Sequence, residues 1–568
     1  MTDQDWDEEK DLEFDSRLHV HTSLPRRLLH YSSHLIHSFR PVKTARYHRL
    51  PSPSRRAFRV SWKRRLLSLL ALISSFILLL VVLTGIFFPS YTRAPAHYNQ
   101  IRKQTVASAI AGRANVNGEK VYIAASIYDE SGKLVSGAWG DALLRLVDLL
   151  GPDNVFLSIY ENDVDDESRA QLDLFRPRIA CNSSLIAEHL ETRNLPHVTV
   201  PSGAQVLKRI GFLAEVRNRA LKPLDDPTSP AFDTKFDKLL YINDVIFDPV
   251  DAANLLFSTN VDENGKAQYT AACSADFINP FKYYDTFATR DLDGYSLGIP
   301  FFPWFPNSGH AVSRKDVVAQ KDAVRVRSCW GGMIAYDAQP FQRDMSVQTT
   351  PSAIATEVTA TSTGKDANLN WNLATSYPGS GKLAARSEVQ EHRPVRFRAT
   401  SDTFWEASEC CLINADLQGP RGDDPYESTG IYLNPYIRVA YDTKTLSWLA
   451  FTRRFERLYA PIHRILNWWT GMPGVNPRRT EEPGQLVVDR VWVQDYEQGN
   501  VTATPGVGEW QNVQRMAQPG GFCGSRMLLG LPDDESGESW THINAPEDDQ
   551  DPTGKGFAAM NRDGTPII

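Results

Sequence analysis

The sequence predicts an α/β fold with a mostly parallel sheet, tethered by a single membrane-spanning helix near the N-terminus. Three observations predict it. From Lys120 onward, short apolar runs alternate with segments of helical spacing. That is the pattern of strands and crossover helices that builds a parallel sheet covered on both faces. One of those runs, in KLLYINDVIFDP (238–249), ends in acids, and α/β sheets bind ligands at the C-terminal ends of their strands. Residues 66–88 carry no charge across 23 positions, roughly 34 Å of helix and enough to cross a bilayer.

Composition narrows the class. The chain has 568 residues, room for several domains or for one large domain with tails. Its 23% charged and 42% hydrophobic content is that of a globular protein. A net charge of -7 leaves no basic footprint for nucleic acid. Six cysteines in this length exclude a small disulfide scaffold, and none forms the CxxC pair that zinc sites use. The adjacent Cys410 and Cys411 read as buried thiols or as halves of separate disulfides, not as a bonded pair. The uncharged segment starts too late and runs too long for a cleaved signal peptide. Arg55, Arg56, Arg59, Lys63, Arg64 and Arg65 precede it, and only Arg93, Arg102 and Lys103 follow closely. The positive-inside rule therefore puts the N-terminus in the cytosol. Everything after Pro89 is then lumenal or extracellular, where the sequons at Asn182 and Asn500 are usable.

Taken in order, residues 1–65 are too polar to build a core and read as a disordered cytosolic tail. Residues 89–117 read as a polar stem. Val121–Ile127 is a buried strand. Ala138–Leu150 has helical spacing through Ala142, Leu143, Leu146, Val147 and Leu150, with Gly151 placed to end it. The next strand, 155–160, completes a βαβ unit with a right-handed crossover. Asp166–Phe175 is a helix, 197–200 a short strand, 204–221 a long helix and 239–242 a strand. The later half is less regular. It has an aromatic-rich stretch at 281–305, a loop insertion at 343–391, and helices at 403–417 and 453–469. The acidic, glycine-rich stretch 532–568 reads as a disordered tail, which leaves 118–531 as the folded domain.

Several residues can carry chemistry, each with a structural alternative. Asn243, Asp244 and Asp248 follow the strand at 239–242. The two acids either ligate a divalent metal beside a diphosphate or serve an Asx-turn. Arg217 continues the apolar face of Val206, Ile210 and Leu213, so its guanidinium is buried and must be paired. Its partner is either a structural carboxylate or a diphosphate, which suits its planar fork. Glu161 ends a strand and is placed for a ribose or base contact, or else caps a helix within an acidic run. Residues 284–294 gather Asp285, Arg290, Asp291 and Asp293, as an ion-pair cluster or the lining of a sugar site. Trp330, Gly331 and Gly332 mark either a close backbone approach to a ligand or a plain turn. Glu406 and Glu409 lie in apolar surroundings that raise a carboxyl pKa, unless they sit at an exposed helix edge. There is no Walker A, GxGxxG, HExxH or GxSxG motif.

Read together, VYIAASI, GPDNVFLSIYEND, RNRALKPL, LLYINDVIF, YDTFATRDLDG, SCWGGMIAYDAQPF, ASECCLINADL and NPRR occur in that order. They resemble the fungal capsule-associated α-1,3-mannosyltransferases, glycosyltransferase family 69, over about residues 120–531. The resemblance implies a type II Golgi membrane enzyme with a GT-A-like fold. It implies a nucleotide-sugar donor, GDP-mannose, a glycan or polysaccharide acceptor, and a divalent metal, Mn2+ or Mg2+. Asn243-Asp244-Val245 stands where many GT-A enzymes carry Asp-x-Asp, and here the second acid comes only at Asp248. Asp244 and Asp248 are therefore the expected metal ligands, with His463 as a substitute for the second. Arg217, Asn218, Glu161 and Asn243 are expected on the donor, and Arg290, Trp330, Gly331 and Gly332 on the acceptor. An α-linked donor giving an α-linked product retains configuration. That needs a carboxylate nucleophile, for which Glu409 and Asp291 are the candidates, or same-face attack assisted by the departing phosphate. The competing readings are a transferase with another nucleotide sugar and a non-catalytic membrane-anchored partner in glycan assembly. A metal-dependent hydrolase lacks enough His and Asp ligands.

Overall fold

The computed structural model describes residues 55–343, 393–419, 421–422, 424–494, 508–532, 541–548, 559–560 and 566–567. Nearly all of the 1–65 tail, the 343–391 insertion and Asn500 lie outside the described residues. In chain order the elements are α1 (Arg55–Phe87), α2 (Tyr98–Ala107), β1 (Val121–Ile127), α3 (Ala138–Leu150), β2 (Val155–Asn162), α4 (Asp166–Phe175) and β3 (Asn182–Glu188). Then come β4 (His197–Thr199), β5 (Gln205–Lys208), α5 (Arg209–Leu221), β6 (Lys238–Ile242), α6 (Pro249–Ser258), β7 (Ala271–Phe277), β8 (Arg290–Asp291), α7 (Val312–Val318), β9 (Val324–Ser328) and β10 (Met333–Asp337). The last group is β11 (Glu406–Ala407), α8 (Glu409–Asp416), β12 (Ile431–Ala440), α9 (Thr443–Thr452), α10 (Tyr459–Thr470), β13 (Leu486–Gln494), β14 (Gly508–Met516), β15 (Gly524–Ser525), β16 (Leu528–Pro532) and β17 (Thr541–Ile543).

Nine strands form one sheet in the order β3-β2-β1-β6-β10-β7-β12-β9-β8. Only β10 and β9 run against the others. The strands are apolar on both sides because both faces are covered. Val121, Ile123, Ala125, Leu240 and Ile242 enter one core with α3 and α6. The alternate residues Tyr122, Ala124, Leu239 and Tyr241 enter the other, with α5 and α8. The order β3-β2-β1-β6 is that of a Rossmann half, so the chain changes direction of travel between β1 and β6. In open α/β sheets the ligand-binding crevice lies beyond the C-terminal ends of the strands at such a point.

The structure departs from the sequence reading where distant pairing overrides local pattern. The first turn of the expected 204–221 helix is β5, which pairs with β4 and β16 in a second sheet. Within 403–417 only α8 is helical, and Glu406 and Ala407 pair with β15. The expected 453–469 helix is really α10, and α9 ends just before that stretch. The 89–117 stretch is no free stem. Ser90, Tyr91, Tyr98 and Ile101 are buried, and α2 packs on α6. Within 532–568, β17 adds an edge strand to β16, and Asp548 binds Arg490. Two disulfides, Cys273–Cys329 and Cys411–Cys523, cross-link the core. Cys410 stays a buried free thiol beside the bonded Cys411.

Candidate functional site

The crevice beyond β1 and β6 is built around a buried ion pair. α5 packs on β1 and β2. It presents Arg217 so that Nε donates to Glu409 Oε1 at 2.8 Å and Nη1 donates to Asn243 Oδ1 at 3.0 Å. Arg217 and Glu409 are both almost fully buried. The guanidinium lies over the Trp330 ring at 4.6 Å, with the Tyr241 and Phe397 rings at 5.7 and 5.9 Å. Aromatic faces attract a cation, and a desolvated one more strongly. Glu409 opens α8, where a carboxylate suits the positive end of the helix. Burial pushes the Cys410 thiol up, so it stays protonated and donates to Glu409 Oε1.

Asn243 is fixed from three sides. Its N–H donates to the Gly332 carbonyl at 2.9 Å, and its carbonyl accepts from Trp139 Nε1 at 2.9 Å. Its side chain holds Arg217. Asp244 follows it and is half-buried. The Trp330 indole N–H is buried here without a hydrogen-bond partner among the described residues. The Glu161 carboxyl is buried at the end of β2 on the other face of the sheet, beside Ser168 of α4, and does not meet Arg217. Burial raises the Glu161 pKa to about 7, with the Ser168 hydroxyl a smaller opposing influence.

Other expected site residues serve the fold. Asp248 is the N-cap of α6, with Oδ1 accepting from the Val250 N–H at 2.8 Å. Its place before Pro249 at the first helical position was a readable cap signal. Asn218 exchanges two hydrogen bonds with the Phe397 backbone. Arg290 spends its N–H groups on the carbonyls of Thr286, Phe287, Thr289, Phe522 and Cys523. Asp291 closes a turn by accepting from the Tyr295 N–H, and burial lifts its pKa to about 7. Among the described residues, no hydrogen bond or ion pair joins Arg290 or Asp291 to Arg217, Asn243 or Glu409. Gly331 and Gly332 have φ of 61° and 67°. A Cβ on Gly331 would lie 1.8 Å from the Ser274 carbonyl oxygen, and one on Gly332 2.7 Å from Val245 Cγ1. The close approach they permit is to their own chain. His463 is buried far along the chain in α10, its Nε2 3.2 Å from the Trp304 carbonyl and its Nδ1 beside Arg314. Burial lowers its pKa to about 4.

Sequence reasoning missed two organisers. Asp285 Oδ2 accepts from the Trp330 and Gly331 N–H groups, at 2.9 and 3.2 Å, and from Thr289, which sets the Trp330 turn. Trp139 anchors the Asn243 carbonyl from α3. Neither pairing leaves a local signal, since each joins residues from different elements.

No cluster of three or more His, Cys, Asp or Glu residues suited to a metal occurs among the described residues. A hard cation that arrives with its own phosphate oxygens and waters needs only one or two carboxylates, and Asp244 directly follows Asn243.

Removing one partner of the Arg217–Glu409 pair leaves an uncompensated buried charge, which costs about 3–5 kcal/mol. Arg217→Ala and Glu409→Ala should each lose that much in urea unfolding. The double variant Arg217→Met/Glu409→Leu should lose far less than the two losses combined. Additive losses would show that the two side chains do not depend on each other.

Glu161 binds its proton more tightly folded than unfolded. Between its ordinary pKa of 4.5 and about 7, unfolding releases that proton. Stability therefore falls as pH rises through that window. Glu161→Gln should gain about 2 kcal/mol on the parent between pH 5 and pH 8. An unchanging difference across that range would contradict a desolvated Glu161.

A family model described as Cryptococcal mannosyltransferase 1 matches residues 120–416, more than half of the chain. No curated protein sequence matches. One solved structure that resembles the chain is the mannosyltransferase PcManGT from Pyrobaculum calidifontis in complex with GDP-Man and Mn2+. It shares 9% identity, covering 67% of this chain and 83% of that one, at a TM-score of 0.28. A likeness that distant carries no argument about the site.

Proposed function

Because the chain belongs to the Cryptococcal mannosyltransferase 1 family, we propose that it is a membrane-anchored, GT-A-like enzyme that moves mannose from GDP-mannose to a glycan or polysaccharide, with a divalent metal. The observation that carries this reading is the Arg217–Glu409–Asn243 arrangement beside Asp244, at the switch point of the sheet. Ligands of open α/β sheets bind at that point.

In this reading Asp244 holds the metal, Mn2+ or Mg2+. When bound, the ion supplies charge neutralisation on the leaving diphosphate. Arg217, its charge balanced by Glu409, is placed to donate remaining N–H groups to the diphosphate, a geometry its planar fork suits. Glu409 is a positioning residue: it orients the Arg217 fork and balances its charge. The Trp330 indole N–H offers an unused donor for sugar or ribose hydroxyls. Glu409 Oε1 is held by Arg217 and Cys410, and Asp291 Oδ1 by its turn. Retention of configuration, with an α-1,3 linkage, is therefore proposed to use same-face attack assisted by the departing phosphate.

Two observations support a type II orientation in the Golgi. The stretch Trp62–Phe87 of α1 is long and apolar enough to cross a membrane, with its most apolar window wholly exposed. The buried disulfides suit an oxidising compartment on the far side of that span.

Thermal unfolding of the full chain with GDP or UDP, each with and without Mn2+, tests the donor site. GDP plus Mn2+ at 100 times its Kd should stabilise the parent by about 2.7 kcal/mol. Asp244→Ala should keep the ligand-free melting temperature and lose that response. A retained response would remove Asp244 from the site, and a response to UDP alone would overturn the donor.

A further inference from the structure

α10 is amphipathic with its polar side inward. His463 and Asn467 face the domain and are held there: His463 meets the Trp304 carbonyl, and Asn467 Oδ1 accepts from the Ile299 N–H at 2.7 Å. The outward face carries Ile462, Ile465, Trp468 and Trp469, exposed by 49, 63, 84 and 77%. α9 adds Trp448 and Phe451, each about half exposed. Exposed apolar side chains concentrated in this way on a folded domain mark a surface that meets a partner or a membrane.

The structure indicates which. Trp448 touches Phe451 at 5.8 Å between ring centroids, and Phe451 touches Phe455 at 5.2 Å. The Phe455 ring packs so closely on Gly85 of α1 that a Cβ there would lie 2.5 Å from it. The aromatic line thus runs without a break from the apolar helix to α9. The junction is rigid. The Ser90 N–H donates to the Arg453 carbonyl at 3.2 Å, and Arg453 Nη1 donates to the Tyr91 carbonyl at 2.9 Å. Ser90 and Tyr91 are fully buried only a few residues after α1 ends. At roughly 3.5 Å per residue, so short a connection cannot lift the domain off the bilayer.

We propose that the outward faces of α9 and α10 lie in the interfacial layer of the bilayer, so that the domain rests on the membrane surface. This rests on the reading of α1 as a membrane span. Tryptophan prefers the headgroup level, where its ring is apolar and its N–H is wet. Lys444, Arg454 and Arg464, exposed around the patch, extend their charges to lipid phosphates while their stems cover apolar surface.

The test uses the full chain in phosphatidylcholine vesicles, plain or brominated near the headgroup end of the acyl chains. The chain has 13 tryptophans, so the readout is the emission difference between the parent and Trp468→Phe/Trp469→Phe. Expected is a difference cut several-fold by bromine. A difference of the same size in both vesicles, in protein that resists alkaline carbonate extraction, overturns the proposal and leaves the span intact. A second copy of the chain covering the patch would give that result. Extraction of the protein by carbonate removes the span, and the proposal with it.

Discussion

The site depends on one buried ion pair. Arg217 comes from a helix on one face of the sheet, and Glu409 from another helix on that face. Neither charge is tolerable there alone. Their contact therefore fixes how α5 and α8 sit against each other. The second arm of the guanidinium reaches Asn243, the first residue past β6. The sheet end, the two helices and the Trp330 turn are thereby held in one arrangement. Trp330 completes the clamp, since Asp285 sets its backbone and its ring lies under the guanidinium. A site held this way is pre-formed, and under the proposed function that is the condition for electrostatic stabilisation of a leaving diphosphate.

The same economy appears around the apolar helix α1. The expected stem would have let the domain swing free. Instead Ser90 and Tyr91 are locked into it, and Phe455 rests on the apolar helix. The disulfide Cys411–Cys523 ties α8, and with it Glu409, to the distant segment that also satisfies Arg290. Chain far from the crevice in sequence thus stiffens it.

What could be read from the sequence was what the chain specifies locally. β1, α3, α4 and β6 were legible because each has one clean period and a local stop. Gly151 ends α3 at φ 88°, and Asp165 caps α4 by accepting from the Ser168 N–H at 2.6 Å. The 204–221 segment misled because its helical spacing is real, while the pairing of β5 with β16 comes from the far end of the chain. The burial of Arg217 was legible from its helical face, but its partner was left open between a carboxylate and a diphosphate. The structure supplies the carboxylate, Glu409. Asn218, Arg290 and the two glycines share motifs with site residues yet satisfy the backbone. Motif membership does not separate residues that touch a ligand from those that hold the wall behind them.

The most direct measurement is GDP release from GDP-mannose by the full chain with Mn2+ and a glycan acceptor that takes the mannosyl group, comparing the parent with Arg217→Met/Glu409→Leu. The parent should release GDP in a Mn2+-dependent way. The double variant, folded but without the clamp, should release little or none. Equal release by both proteins would contradict the account, because the pair would then hold the fold without forming the donor site.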